Sequence, residues 1–107
     1  SLCGMKEATD RLYEKVLAEQ DGYRQWLLAQ PPEEILKNAY EYALREDIIY
    51  YLEDSDIGDE LAEALLKSPY PVYEVVRYYE KMDTDYMNDI GQAVEGRAQE
   101  LANRKRW

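Results

Sequence analysis

An all-α fold, a small single domain of four or five helices, is predicted by three features of the 107-residue sequence. Apolar residues recur at helical spacing and not in strict alternation. The prolines fall at two breaks, Pro31 with Pro32 and Pro69 with Pro71, which divide the chain into segments of helix length. The length itself suits one compact domain over residues 1–107 and is too short for a catalytic domain joined to a regulatory one.

The first segment predicts a helix over about 5–29, because Met5, Ala8, Leu12, Val16, Tyr23, Trp26 and Leu27 fall on one side at about 100° per residue. Gly22 weakens that helix by roughly 1 kcal/mol relative to Ala without breaking it. Pro31 ends it, disfavouring helical geometry at Gln30 and removing a backbone donor.

Pro32 opens a second helix, expected over 32–53, at a position where a missing N–H costs nothing. Glu33 and Glu34 then face the positive end of its macrodipole. Leu36, Tyr40, Ala43, Leu44, Ile48 and Leu52 drift around one side, while Ile35, Tyr42 and Ile49 repeat on another. That pattern predicts a central helix touching two neighbours. The polar stretch from Glu53 to Glu60 offers Ser55 or Asp56 as an N-cap for a third helix over 57–67, with Leu61, Leu65 and Leu66 as its apolar side.

After Pro71 one stripe continues through Val72, Val75, Val76, Tyr79, Met82, Tyr86, Ile90, Ala93, Val94 and Leu101, predicting a helix over 71–104. Unbroken, it would run roughly 50 Å at 1.5 Å per residue, longer than a compact domain of this size requires. Asp83 lies on the stripe, and Asp83 or Thr84 suits an N-cap, so the sequence leaves a break near 83–85 open.

The chemistry these residues exclude is broad. Without histidine there is no Ser-His or Cys-His nucleophile pair, no HExxH metalloprotease site and no histidine zinc site. Cys3 is the one cysteine, so neither an internal disulfide nor a cysteine zinc cluster is available. The five glycines are isolated and form no phosphate-binding loop. Asp54, Asp56, Gly58 and Asp59 invite a calcium reading, but Gly58 precedes Asp59 and the twelfth loop position is Leu65 instead of Glu. The expectation is a non-enzymatic protein with no catalytic residues, no metal and no cofactor. No run of about 18 apolar residues suggests a membrane span, and no basic-then-apolar leader is apparent, so a cytoplasmic protein is expected.

Several short strings carry a resemblance: LYEKVL at 12–17, QPPEEIL at 30–36, YEY at 40–42, REDI at 45–48 and ALLKSP at 64–69. They are similar to a family of short acidic helical proteins of gut Firmicutes and their mobile elements, the domain of unknown function 3848. The resemblance implies an accessory protein of bacterial mobile DNA, a setting in which small acidic inhibitors of host defence also occur. It carries no catalytic residues over.

Charge is the most informative remaining feature. Lys plus Arg is 13 against Asp plus Glu of 23, a formal −10, which argues against direct nucleic-acid binding. Residues 31–66 hold eleven acids and two bases. Carboxylates on neighbouring helical turns lie about 5–6 Å apart, comparable to phosphate spacing, so such a surface suits a groove built for DNA or RNA. Eight of the eleven tyrosines lie between Tyr40 and Tyr79, and a tyrosine ring with its hydroxyl suits a protein interface. The candidate partner-binding residues are therefore Glu46, Asp47, Tyr50, Tyr51, Glu53, Asp54, Asp56, Asp59, Glu60 and Tyr78. The expected partner is a protein, in particular a basic nucleic-acid-binding one held by nucleic-acid mimicry. In the alternative, acidity serves solubility, tyrosine stands in for phenylalanine in the core, and the protein is a structural or regulatory module with a hydrophobic interface. Arg97, Arg104, Lys105 and Arg106 complement the carboxyl end of the last helix, and Trp107 offers a hydrophobic anchor. The long stripe exceeds what one chain covers, which makes a homodimer a further expectation.

Overall fold

The computed structural model describes residues 7–104, so Cys3, Met5, Lys105, Arg106 and Trp107 lie outside the described residues. The fold is all-α, with five helices: α1 (Ala8–Leu28), α2 (Pro32–Asp54), α3 (Asp59–Leu66), α4 (Pro71–Glu80) and α5 (Tyr86–Arg104). Helix α1 packs along α2 and α3, and α4 closes the body against α2 and, more lightly, α1. One core joins all four: Ala8, Leu12 and Val16 of α1, Ile49 of α2, Ala62 of α3, and Val72 and Val76 of α4. Leu44, Ile48, Leu52, Ile57, Leu65 and Leu66 complete its rim.

Both proline pairs act as expected. Pro31 ends the α1–α2 connection, Pro32 stands in the first turn of α2 with Glu33 and Glu34, and Pro71 opens α4. Gly22 leaves α1 unbroken.

The apolar stripes are less well covered than their periodicity predicts. Leu36, Tyr40 and Ala43 are exposed, because α1 and α4 cover one side of α2 and, among the described residues, the opposite side is met only at the Tyr40 hydroxyl, which Tyr79 of α4 reaches. Trp26 is half in solvent although the next residue, Leu27, is buried, and it lies at an angle to Tyr23 with ring centres 5.8 Å apart. In α3 the fully buried residue is Ala62, while Leu61 is exposed. The small side chain lets α3 approach α1 closely, which turns the larger Leu61 outward. No tyrosine among the described residues is fully buried, and Tyr13 is the one packed against the rim of this core.

The last stripe is interrupted. Helix α4 ends at Glu80, residues 81–85 form a turn, and α5 begins at Tyr86, with the Asp89 N–H bonded to the Asp85 carbonyl at 2.9 Å. No residue of α5 is buried. The chain's radius of gyration is 19.6 Å, against about 13 Å for a compact chain of this length, and its longest dimension is 71 Å. Helix α2, the longest element, spans only about 34 Å, so α5 projects from the four-helix body. Near its base the Tyr40 hydroxyl, hydrogen-bonded with Tyr79, is held above the ordinary phenol range by desolvation and by Tyr79, Tyr86 and Glu80.

The α2–α3 turn departs from the capping expectation. The Asp56 carboxylate accepts the Gly58 N–H at 2.8 Å, and α3 starts after Gly58 with no side-chain cap. Gly58 has φ 86° and ψ 155°, a region essentially closed to other residues. Gly58→Ala is expected to lower stability by about 1–3 kcal/mol in a urea-unfolding measurement although open space surrounds the new methyl, because the cost is backbone strain.

Candidate interaction surface

One turn of α1 organises the polar side of the body. Lys15 donates to the carbonyls of Leu66 at 3.0 Å and Ser68 at 2.6 Å, at the carboxyl end of α3. Four residues on, Glu19 accepts the Val72 N–H at 2.8 Å and the Tyr73 N–H at 2.9 Å, at the amino end of α4. Tyr70 has no side-chain group that caps α4, and Pro71 contributes no donor, so α1 supplies the cap from a distance. Each charge meets the end of a helix dipole that favours it. Arg11, one turn earlier, pairs with Glu63 of α3.

Glu19 begins a longer ionic chain. Arg45 Nη1 lies 3.5 Å from its Oε2, with the two side chains 5% and 8% exposed. Arg45 Nε reaches Glu41 Oε2 at 3.0 Å, and Glu41 Oε1 accepts from Arg77 at 2.8 Å, so α1, α2 and α4 are tied in series. The Arg45 guanidinium stacks 3.9 Å over the Tyr23 ring, and Arg77 lies 4.9 Å over Tyr73. Desolvation and the Glu41 charge raise the Tyr23 phenol above its ordinary range, against the opposing pull of Arg45 and Arg77. A groove of about 600 Å³ bordered by Gly22, Tyr23, Arg45, Tyr70 and Tyr73 overlies this network.

Arg45 is committed inward and Arg77 to the acids of the body, which leaves other acids uncompensated outside. Glu41 is spent on two arginines, Glu63 on Arg11 and Glu34 on Lys37, while Glu46 accepts from Gln20 at 3.0 Å. Among the described residues Asp47, Glu53, Asp54, Asp56, Asp59 and Glu60 pair with no cation. Glu46, Asp47, Tyr50, Glu53 and Asp54 lie within an arc of about 120° on the outward side of α2, and Tyr51 borders it. Tyr50 is 67% and Tyr51 58% exposed. Asp56, Asp59 and Glu60 continue the acidic strip across the turn into α3. Tyr78 is 71% exposed on α4, and no hydrogen bond or ring contact among the described residues joins it to the α2 strip.

Physical chemistry accounts for part of this strip and not for the rest. Asp59 and Glu60 occupy the first turn of α3, where a negative charge is favourable. Glu53 and Asp54 sit in the last turn of α2, at the negative end of the dipole, with no base beside them. They border a depression of about 470 Å³ shared with Thr9, Asp10, Tyr13, Ser55 and Asp56. The Tyr13 phenol there is raised by desolvation first, then by the charge of Glu53 and a hydrogen bond to it. No three metal-ligating side chains converge among the described residues.

The ionic chain itself escapes a local sequence reading. Its one clue is Arg45, a charged residue four positions before Ile49 on the apolar side of α2. Glu19→Ala should cost about 3 kcal/mol in urea unfolding, since it strands the buried Arg45 and uncaps α4. Glu19→Gln should cost less, because its amide oxygen still accepts one of the two N–H groups.

Neither the curated proteins nor the solved structures contain a significant match to this chain. No described helix is long and apolar enough to cross a membrane. A family described as a protein of unknown function, DUF3848, matches residues 8–102, nearly all of the described fold, and the protein belongs to that family.

Proposed function

We propose that the protein is a non-enzymatic, cytoplasmic binding factor whose acidic, tyrosine-bearing α2 strip docks a basic, nucleic-acid-handling protein and competes with that partner's nucleic acid. The supporting observation is the placement of Glu53 and Asp54. Acids without cations at the carboxyl end of a helix work against that helix, the Tyr13 hydrogen bond to Glu53 offsets only part of this and leaves Asp54 with none of it, and residues that break a local rule concentrate at functional sites. Tyr50 and Tyr51 beside them supply rigid apolar area and hydroxyls at low entropic cost, the composition of a contact surface. Carboxylates on successive turns then offer a basic groove a charge row at roughly phosphate spacing. The mobile-element setting implied by the resemblance suits such an inhibitor.

A second reading, an ordinary hydrophobic interface, draws support from the exposed Leu36, Tyr40 and Tyr50 on the outward side of α2. Salt dependence separates the two, since charge-driven complexes weaken at high ionic strength and apolar ones do not.

Asp54→Lys carries the test. The variant should be about 0.5 kcal/mol more stable than the parent, because a cation replaces an acid at the negative end of α2. It should also lose a partner that the parent retains from lysate at low salt, releases at about 0.5 M salt and yields to added duplex DNA. A partner kept by the variant, or indifferent to both salt and DNA, overturns the mimicry reading and leaves the apolar one.

A further inference from the structure

We infer that α5 is a self-association element, through which two copies of the chain pair in antiparallel orientation. Tyr86, Ile90, Ala93, Val94 and Leu101 fall within about 100° of arc over residues 86–101, a mainly apolar side, shared with Arg97 and Arg104, that buries none of its residues among the described elements. Its large members are 38% to 62% exposed. An isolated helix of this length is marginal in water, and Gly91 and Gly96 each lower its propensity by about 1 kcal/mol relative to Ala. The helix therefore needs an apolar surface against it.

Four features identify that surface as a second copy. Among the described residues, 83–94 carry Asp83, Asp85 and Asp89 and no base, whereas 95–104 carry both bases of the helix, Arg97 and Arg104, along with Glu95 and Glu100. Antiparallel pairing sets the three aspartates of each copy beside the segment that holds the other copy's Arg97 and Arg104, while parallel pairing would set the aspartates against one another. The apolar side is also symmetric about a point between Ala93 and Val94. Reversal of direction brings Ala93 onto Val94, Tyr86 onto Leu101, and Ile90 onto the stem of Arg97, whose guanidinium is held aside by Glu100 at 2.9 Å.

Shape and surface area agree. Because the body sits at one end of α5, antiparallel copies carry their bodies at opposite ends. In a parallel pair, the bodies of two chains that are 35 × 25 Å across their long axis would crowd the same end of helices spaced about 8–10 Å apart. The chain exposes 8573 Å², against about 6,200 Å² for a compact monomer of 12.6 kDa. That surplus exceeds the roughly 1,200 Å² that a specific interface removes.

The test is the mass of the full chain by sedimentation from low to high micromolar concentration. The expected result is a concentration-dependent shift from 12.6 kDa to about twice that value. Ile90→Asp with Val94→Asp should hold the chain monomeric while leaving cooperative unfolding of α1–α4 in place. Reversal of the acidic end, Asp85→Lys with Asp89→Lys, should weaken the dimer about tenfold, and so should Arg97→Glu with Arg104→Glu. All four changes together should restore it, a rescue that only antiparallel pairing predicts. A chain that stays monomeric throughout, a dimer indifferent to Ile90 and Val94, or a failure of the four-fold variant to restore association would overturn the proposal.

Discussion

The turn between α3 and α4 is held by two side chains four residues apart on α1, and the rest of the body depends on that hold. Lys15 satisfies carbonyls where α3 ends, and Glu19 satisfies N–H groups where α4 begins. Helices of eight and ten residues are too short to be stable alone, and each leaves terminal backbone groups that water would otherwise have to solvate. Delivering both caps from one turn of a long helix fixes the position of α3 and α4 along α1. The apolar contacts of Ala62, Val72 and Val76 then close over the same helix.

That arrangement has an electrostatic consequence. Glu19 is buried, and a buried carboxylate requires a partner, which Arg45 supplies. Arg45 in turn engages Glu41, and Glu41 engages Arg77. In a chain with 13 bases against 23 acids, cations spent on the interior are unavailable to the surface. The acidic character of the outer side of α2 therefore follows in part from how the body is built, and a partner with basic chemistry meets a strip that has no internal competitor for its charge.

The helices themselves were legible because their determinants are local: proline pairs, first-turn acids and apolar periodicity. The acidic strip was legible for the same reason, since residues on the outward side of one helix need no knowledge of the fold. Trp26, Leu36, Tyr40 and Leu61 lie on apolar sides in the sequence and are exposed in the fold, because periodicity reveals an apolar side and not whether a neighbour reaches it. The caps at α3 and α4 join residues more than 50 positions apart, and no local pattern announces them. The end of α4 at Glu80 is intermediate: Asp83 on the stripe hinted at it, but Met82 and Tyr86 continue the apolar spacing across the turn.

The most direct measurement is amide hydrogen exchange on the full chain at low concentration. If α1 holds α4 through Glu19, the Val72 and Tyr73 amides exchange only with global unfolding, as slowly as those of Leu12 and Val16 in the core. The amides of α5, standing outside the body, exchange far faster. Val72 and Tyr73 exchanging by local opening, or α5 protected as strongly as the core in the dilute chain, would contradict this account.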